Sequence, residues 1–303
     1  MGSWGAGLYS VDFAADLRGA IKAVARLPFE PDRLVGILCE SEPGAANHPD
    51  DEDHTTFWLV VADQFAKRGI VCAAVTDRAL AVIDEGRDLA MLAKLGMDAP
   101  GLAKRRKQLA ELRARLAAPV AAKPRAVLKQ PQPYVFAVGD LVIYPASGGK
   151  CINPYFPSKD KIPDWQQDSW GAALIVANGR AFDFLAWYRP LALADALPAK
   201  PDLAGLRVPA RWLLRRPGTC SAAHVRKMEM ETLATLPLDP EKLARHFPAM
   251  RPGTAYAVDD ISIANQLGTG PDTLADLMAK PQPPQWKRQL YPPLTRLDEV
   301  LSG

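Results

Sequence analysis

The segment NHPDDEDH brings together side chains of the kind that bind divalent metal ions. It offers the imidazoles of His48 and His54 and the carboxylates of Asp51 and Asp53, which are ligand types for zinc and related ions. All of them lie in one short loop, whereas a closed coordination shell usually draws on separate elements. Acidic residues are also favourable just before a helix, because they complement its dipole. We therefore interpret Asp50, Asp51 and Asp53 as an acidic binding loop and expect no metal. A metal-dependent hydrolase using the His48–His54 loop is the alternative.

A second chemical candidate is the basic segment AKRRKQLAELRAR. Its cations could contact phosphates; they are Lys104, Arg105, Arg106, Lys107, Arg113 and Arg115. No aromatic residue lies among them to stack on bases, and the net charge of the whole chain is only +3. We predict an ordinary solvated face and no nucleic-acid partner. A nucleic-acid-binding factor that uses the Lys104–Arg115 helix stays open as an alternative.

Motifs of nucleophilic, metal-dependent and phosphate-binding catalysis are missing from the sequence. There is no GxSxG, no HExxH and no Walker loop. Cys220 and His224 stand four residues apart, but a catalytic thiol and its base normally come from separate elements. The four cysteines form no CxxC pair, which indicates reduced structural thiols. We expect no catalytic residue and no cofactor, and the balance favours a protein that is not an enzyme.

The elements that would position these side chains fall into two regions. Residues 1–118 show helical periodicity and predict an N-terminal helical bundle domain, with Ser10 as the first N-cap. The segment TTFWLVVADQFAKRG is apolar around most of its circumference, so we predict that it is the central helix. Further helices are predicted in PDRLVGILCESE, TDRALAVIDEG, RDLAMLAKLG and GLAKRRKQLAELRARLA. Residues 119–132 mix Pro, Ala and Lys without a period, as linkers do.

Residues 133–303 predict a β-rich, small barrel-like domain with peripheral helices, so the fold class is α+β. In YVFAVGDLVIYPA we predict two strands joined by a turn at Gly139–Asp140. In WGAALIVANGRAFDFLAWYRPL we predict a hairpin that turns at Asn178–Gly179, because Asn-Gly is a strong hairpin signal. Another strand is predicted in RVPARWLLRR, and helices are predicted in DPEKLARHF, VDDISIANQL and PDTLADLM.

The opening MGSWGAGLYS places a tryptophan between glycines before the first helix. Gly5 and Gly7 would permit a sharp backbone path, with a positive φ, that lays Trp4 against the bundle as a structural plug. Asp12 and Asp16, one helical turn apart, could instead contact a basic partner.

Two stretches resemble known families. Trp4, Gly5 and Gly7, with the acidic and small residues that follow, resemble the WGxG opening of an uncharacterised bacterial domain of unknown function (DUF4259-like). The segment FAVGDLVIYP, ahead of a hairpin that ends in FLAWY, is similar to the small β-barrels of some bacterial immunity proteins. The resemblance implies a bacterial source and a fold, and it implies no catalytic residue.

We therefore expect a binding protein, in its specific form an immunity-type protein that occludes a bacterial toxin. The contacts would come from the acidic residues already named and from rim aromatics among Trp170, Trp187 and Tyr188. No stretch approaches the roughly 18 apolar residues of a membrane span, and no signal peptide is evident. We expect a cytoplasmic location, a protein partner and no contact with membranes.

Overall fold

The computed structural model describes residues 5–118, 125–154, 156–248 and 293–302. Among them, the chain forms two compact units, one reaching Gln130 and the other beginning at Pro131. The first is helical and the second is built on a curled antiparallel half-barrel sheet. The predicted α+β class is therefore confirmed. None of the described helices has both the length and the apolarity needed to cross a bilayer.

The helical unit contains seven helices within its described residues. They are α1 (Asp12–Val24), α2 (Pro31–Ser41), α3 (Pro43–Asn47), α4 (His54–Lys67), α5 (Ala73–Asp84), α6 (Arg87–Lys94) and α7 (Ala99–Ala117). Every residue of α4 from His54 to Phe65 is buried, with α1, α3, α5, α6 and α7 packed around it. The prediction of a central helix is confirmed, since only a helix that is apolar on most sides can be enclosed in this way.

A buried ion pair ties three of these helices together. The Arg105 guanidinium on α7 donates two hydrogen bonds of 2.8 and 2.9 Å to Asp88 on α6. Thr55 on α4 donates a longer bond of 3.4 Å to the same carboxylate. Both charged side chains are at least 96% buried, so the prediction that Arg105 lies on a solvated face is wrong. Arg105 shares a face with Leu109 and Leu112, and that face points into the bundle.

The start of the helical unit differs from the prediction in two respects. Helix α1 begins at Asp12 with Val11 as its N-cap, whereas Ser10 closes a turn by donating its N–H to the Gly7 carbonyl at 3.1 Å. Gly5 has a positive φ of 153°, but Gly7 does not have a positive φ. A Cβ on Gly7 would lie 2.5 Å from the Ser10 hydroxyl, so a larger residue there would make the Ser10 side chain move. The predicted plug residue, Trp4, lies outside the described residues.

The second unit contains seven strands and three α-helices within its described residues. They are β1 (Asp140–Ser147), β2 (Lys150–Cys151), β3 (Ser169–Ala181), β4 (Leu185–Leu193), α8 (Leu203–Leu206), β5 (Trp212–Leu214), β6 (Gly218–Thr219), α9 (Ala222–Lys227), β7 (Glu231–Thr235) and α10 (Pro240–His246). The strand order is β2-β1-β3-β4-β5, with β6 paired to β4 and β7 to β1. The predicted strand in RVPARWLLRR and helix in DPEKLARHF are present as β5 and α10. The helices predicted in VDDISIANQL and PDTLADLM lie outside the described residues.

Both faces of this sheet are covered, because alternate residues of each strand enter two separate cores. On β1, Leu141 and Ile143 join one cluster, whereas Val142 and Tyr144 join the other. Residues near the end of the chain, Leu294 among them, complete the first cluster. Strands with two buried faces show little polar alternation, which explains the continuous apolar run in DLVIYPA.

The hairpin turn predicted at Asn178–Gly179 is wrong. Both residues lie inside β3, paired with Tyr188 and Trp187 of β4, and the chain turns later, where Phe182 and Asp183 have positive φ values of 52° and 63°. Packing explains the glycine, because a Cβ on Gly179 would lie 2.5 Å from the Trp187 indole. The Asn-Gly pair is therefore a close contact between strands and not a turn.

The first strand predicted in YVFAVGDLVIYPA is also absent. Residues 134–138 are irregular, and side chains satisfy their backbone groups in place of a neighbouring strand. The Ala137 N–H donates to the Asp140 carboxylate at 2.8 Å, and the Val135 N–H donates to the Tyr188 hydroxyl at 2.7 Å. Gly139, with a φ of 93°, then leads directly into β1.

Candidate functional site

The most promising site is a groove of ≈380 Å³ in the helical unit, which we call the acidic groove. Three segments form it: the chain before α1, the start of α4, and the turn between α6 and α7. Its lining residues are Gly5, Ala6, Val11, Glu52, Asp53, Thr56, Leu92, Leu95, Gly96, Met97, Asp98 and Gly101. No lysine, arginine or histidine is among these described residues, so the charges that they bring to the groove are negative.

One wall of the acidic groove is apolar and open to solvent. Leu95 is 54% exposed, so its apolar surface is accessible to a partner. Gly96 has a φ of 89° and ends α6, and the Met97 N–H then donates to the Leu92 carbonyl at 2.9 Å. This turn holds Leu92, Leu95 and Met97 beside one another. Asp98 follows and caps α7, accepting a bond of 2.9 Å from the Gly101 N–H.

Two carboxylates of the segment NHPDDEDH, those of Glu52 and Asp53, also line the groove. Glu52 is exposed and Asp53 is half-buried. Burial, reinforced by the nearby charges of Glu52 and Asp51, raises the pKa of Asp53 from 3.8 to about 6. Asp53 is the N-cap residue of α4, yet its side chain accepts no capping bond. A carboxylate in this state would be stabilised by a cation placed beside it.

The other two predicted acids do not line the groove. Asp51 bonds within its own loop, where it accepts from the Asp53 N–H at 2.9 Å. Asp50 is exposed beside it. The loop therefore divides into one carboxylate that shapes the backbone, one on the outer surface and two that face the groove.

The loop does not assemble a metal site. The His54 ring is buried, and its Nδ1 lies 2.7 Å from the Ala45 carbonyl, so this nitrogen carries a proton and donates to that oxygen. His48 is exposed. Within the described ranges, no group of three or more His, Cys, Asp or Glu side chains could hold an ion. The metal-dependent alternative is left without a set of ligands in this part of the chain.

The basic helix α7 is largely committed to contacts within its own unit. Besides Arg105, Arg113 pairs with Asp84 at 2.6 Å and Arg115 pairs with Asp63 at 2.5 Å. Lys104, Arg106 and Lys107 are exposed. Three adjacent cations without aromatic neighbours provide a short electrostatic contact and no means of reading bases.

Comparison with protein-family models, with curated proteins and with solved structures found no match. The arguments about function therefore rest on the geometry of this chain.

The remaining candidate residues are dispersed. Asp12 and Asp16 are exposed on α1, outside the lining of the acidic groove. Trp187 and Tyr188 are core residues, 4% and 0% exposed, so the prediction that they form a binding rim is wrong. Both are held by the packing of β3 against β4. Trp170 is half-buried, with the Lys200 ammonium 5.3 Å from its ring centroid.

Sequence reasoning missed a buried acid in α4. The side chain of Asp63 is 1% exposed, and it accepts bonds from Lys67 at 2.7 Å, from Arg115 at 2.5 Å and from the Tyr9 hydroxyl. Burial alone would raise the pKa of Asp63, but the bonds from Lys67, Tyr9 and Arg115 outweigh it and lower the pKa. A carboxylate held ionised by several donors is a poor general base, so we interpret Asp63 as structural. An acid inside the apolar run LVVADQF is the signal that could have revealed it.

The Cys220 thiol is buried, and its Sγ lies 3.8 Å from the Ser221 carbonyl. Burial raises the pKa of the Cys220 thiol to about 12, which keeps it protonated at neutral pH. Because the thiolate is the reactive species, Cys220 is an inert core residue.

Proposed function

We propose that this chain is a non-enzymatic binding protein whose helical unit holds a basic segment of a partner protein in the acidic groove. One observation carries the proposal. Among the described residues, Glu52 and Asp53 line the same groove as the apolar side chains of Leu92, Leu95 and Met97, and no cation does. The carboxylates supply charge complementarity, and the apolar residues supply area that can be removed from water.

The groove favours a lysine or arginine that is flanked by apolar residues. The aliphatic stem of such a side chain can lie along Leu95 and Met97 while its cationic head reaches Asp53. A cation beside Asp53 would also relieve the repulsion among neighbouring carboxylates, which contributes to its raised pKa. The charge therefore favours a basic partner over a neutral one.

The resemblance to immunity-type proteins supports a more specific version of this proposal. In that version the partner is a bacterial toxin, the protein neutralises it by covering its active site, and both act in the cytoplasm. Toxins that act on nucleic acid carry basic surfaces around their active sites, which an acidic groove would complement.

A peptide array tests the proposal directly. The full chain is applied to a library in which Lys, Arg, Leu and Phe vary in position, and the same array is probed with the double variant Glu52→Gln, Asp53→Asn. Asn is as good an N-cap as Asp, so α4 should keep its start. The matched control is Asp50→Asn, which removes a charge of the same loop outside the groove.

We expect the wild type and Asp50→Asn to select the same peptides, with a cation next to an apolar residue. We expect the double variant to lose this selection. If cationic peptides are not enriched, or if the double variant selects them equally well, the acidic groove is not the binding site.

A further inference from the structure

A second cavity of the helical unit has the opposite charge. It measures ≈330 Å³, and we call it the basic cavity; its lining residues are Ala46, Asn47, Pro49, His54, Trp58, Arg78, Val82 and Arg87. Helices α3, α4 and α5 and the first residue of α6 contribute to it. It shares no lining residue with the acidic groove. Within the described ranges, two guanidinium groups and one imidazole line it, and no aspartate or glutamate does.

Arg78 is an exposed residue whose guanidinium stacks on an aromatic ring. Its Cζ atom lies 4.4 Å from the centroid of the Trp58 ring, in a cation–π contact. In the described part of the chain, Arg78 forms no hydrogen bond or ion pair. An arginine normally uses its planar set of five donors on carboxylate or phosphate oxygens. Here that set is available beside a cavity.

The surroundings of Arg78 are rigid. The Trp58 indole is fixed because its Nε1–H donates to the Ala46 carbonyl at 3.2 Å and its ring packs edge-on against Phe57 at 5.1 Å. The His54 ring is fixed by its bond of 2.7 Å with Ala45. Arg87 also lines the cavity, and its Nε lies 2.9 Å from the Glu85 carboxylate, which is not among the lining residues. This contact uses Nε, so the two terminal nitrogens of Arg87 can still donate hydrogen bonds to an anion in the cavity. Positively charged groups held in place before binding lose little entropy when an anion arrives.

We propose that the basic cavity binds a small phosphate-bearing molecule, with its phosphoryl group between Arg78 and Arg87. A phosphate group offers three oxygens and up to two negative charges, which match two guanidinium groups better than a single carboxylate does. The volume lies at the lower end of the range for small-molecule sites, so it suits a compact ligand. This site is independent of the acidic groove and of the binding proposed there.

Titration of the full chain with inorganic phosphate, followed by NMR, tests this inference. The indole N–H signal of Trp58 is the reporter, because this ring lines the cavity, and a Trp58→Phe variant assigns the signal. A parallel titration with acetate at matched ionic strength tests whether a carboxylate binds as well as phosphate does. The site variants are Arg78→Gln and Arg87→Gln, and the matched control is Arg106→Gln, which removes an exposed arginine of α7. Melting temperatures verify that each variant is folded.

We expect phosphate to shift the Trp58 signal saturably, with a dissociation constant on the order of 1 mM, since the probe lacks the rest of the ligand. Each site variant should weaken binding about tenfold, as expected for the loss of one charged partner. Arg106→Gln should bind like the wild type. The proposal fails if the shift does not saturate, if acetate saturates it equally well, or if Arg106→Gln weakens binding as much as Arg78→Gln.

Discussion

At the scale of single residues, the charge of Asp53 matters both for the proposed binding of a cation and for the stability of the helical unit. The loop NHPDDEDH predicted an acidic surface, but the sequence could not reveal which carboxylates face the groove. That division depends on the bond between the Asp51 carboxylate and the Asp53 N–H, and on which side chains the start of α4 places beside the groove. Asp53 is left half-buried, without a capping bond and beside other negative charges. The negative charge of Asp53 therefore destabilises the folded chain, and a cation of a basic partner would offset this destabilisation.

Replacement of Asp53 should therefore stabilise the helical unit in a pH-dependent way. Because the pKa of Asp53 is raised to about 6, its contribution to stability is present at low pH and is lost as the pH rises through 6. Asp53→Asn should raise the free energy of unfolding at pH 7 by on the order of 1 kcal/mol, allowing for solvent screening of a half-buried group. Near pH 4, where the acid is neutral in the folded state and about half ionised in the unfolded state, most of the gain should be gone.

Urea denaturation at pH 7 and near pH 4 measures this difference, with Asp50→Asn as the control that should change little at either pH. Equal effects of Asp53→Asn at both pH values would show that the side chain is not destabilised by its charge.

At the scale of elements, the helices were predictable because their apolar periodicity is local. The role of Arg105 was harder to see, because it stands in a run of cations that suggests a solvated face. Its spacing from Leu109 and Leu112 places it on the buried side of α7, but only the position of Asp88 on α6 makes that burial tolerable. Such a pair depends on two elements and cannot be deduced from either one alone.

The Arg105–Asp88 pair should respond differently to single and double replacement. Asp88→Asn should lower the free energy of unfolding by about 3 to 5 kcal/mol, because it leaves a buried guanidinium without its counter-charge. The double variant Asp88→Leu, Arg105→Met should recover most of this loss, since it removes both buried charges. Thermal denaturation of the two variants provides the comparison. A double variant as unstable as Asp88→Asn would argue that shape, and not charge, dominates at this site.

The hairpin of β3 and β4 provides a second test at this scale. Gly179→Ala should destabilise the sheet unit by about 1 to 3 kcal/mol, because the added methyl group meets the Trp187 indole. Asp183→Gly should change stability little, since glycine adopts the positive φ of this position readily. Chemical denaturation should rank the two variants in this order. The reverse order would place the turn at Asn178–Gly179 after all.

At the scale of the whole molecule, the change from a helical period to strand patterns made the α+β class and the order of its two units predictable. The sequence did not predict that residues from 294 onward complete the core on one face of the sheet. Trp212 pairs with Leu294, far along the chain, and no local pattern announces a contact at that separation. The irregular segment 134–138 was missed for a similar reason, because its partners Asp140 and Tyr188 act through side chains.

The division into two units predicts where a protease should cut the native chain. Brief trypsin digestion should cleave first after Lys129, within residues 119–132, and release a folded helical fragment, because Lys123 precedes a proline and such a bond resists trypsin. Arg125 should be a poor site, because its guanidinium donates to the carbonyls of Leu27 and Phe29 at 3.1 and 2.8 Å. Mass spectrometry of the early fragments identifies the cuts, and initial cleavage elsewhere with this segment intact would contradict a linker here.

The central claim is that the acidic groove recognises a cation, and calorimetric titration at two pH values tests it most directly. The titrant is the tightest peptide from the array, chosen without histidine or acidic residues, at pH 7 and pH 5. Because the pKa of Asp53 is about 6, the carboxylate is charged at pH 7 and largely neutral at pH 5. The wild type should bind about tenfold more weakly at pH 5, whereas Asp53→Asn should bind weakly at both pH values. Equal dissociation constants for the wild type at pH 5 and pH 7, matched by those of Asp53→Asn, would contradict the claim.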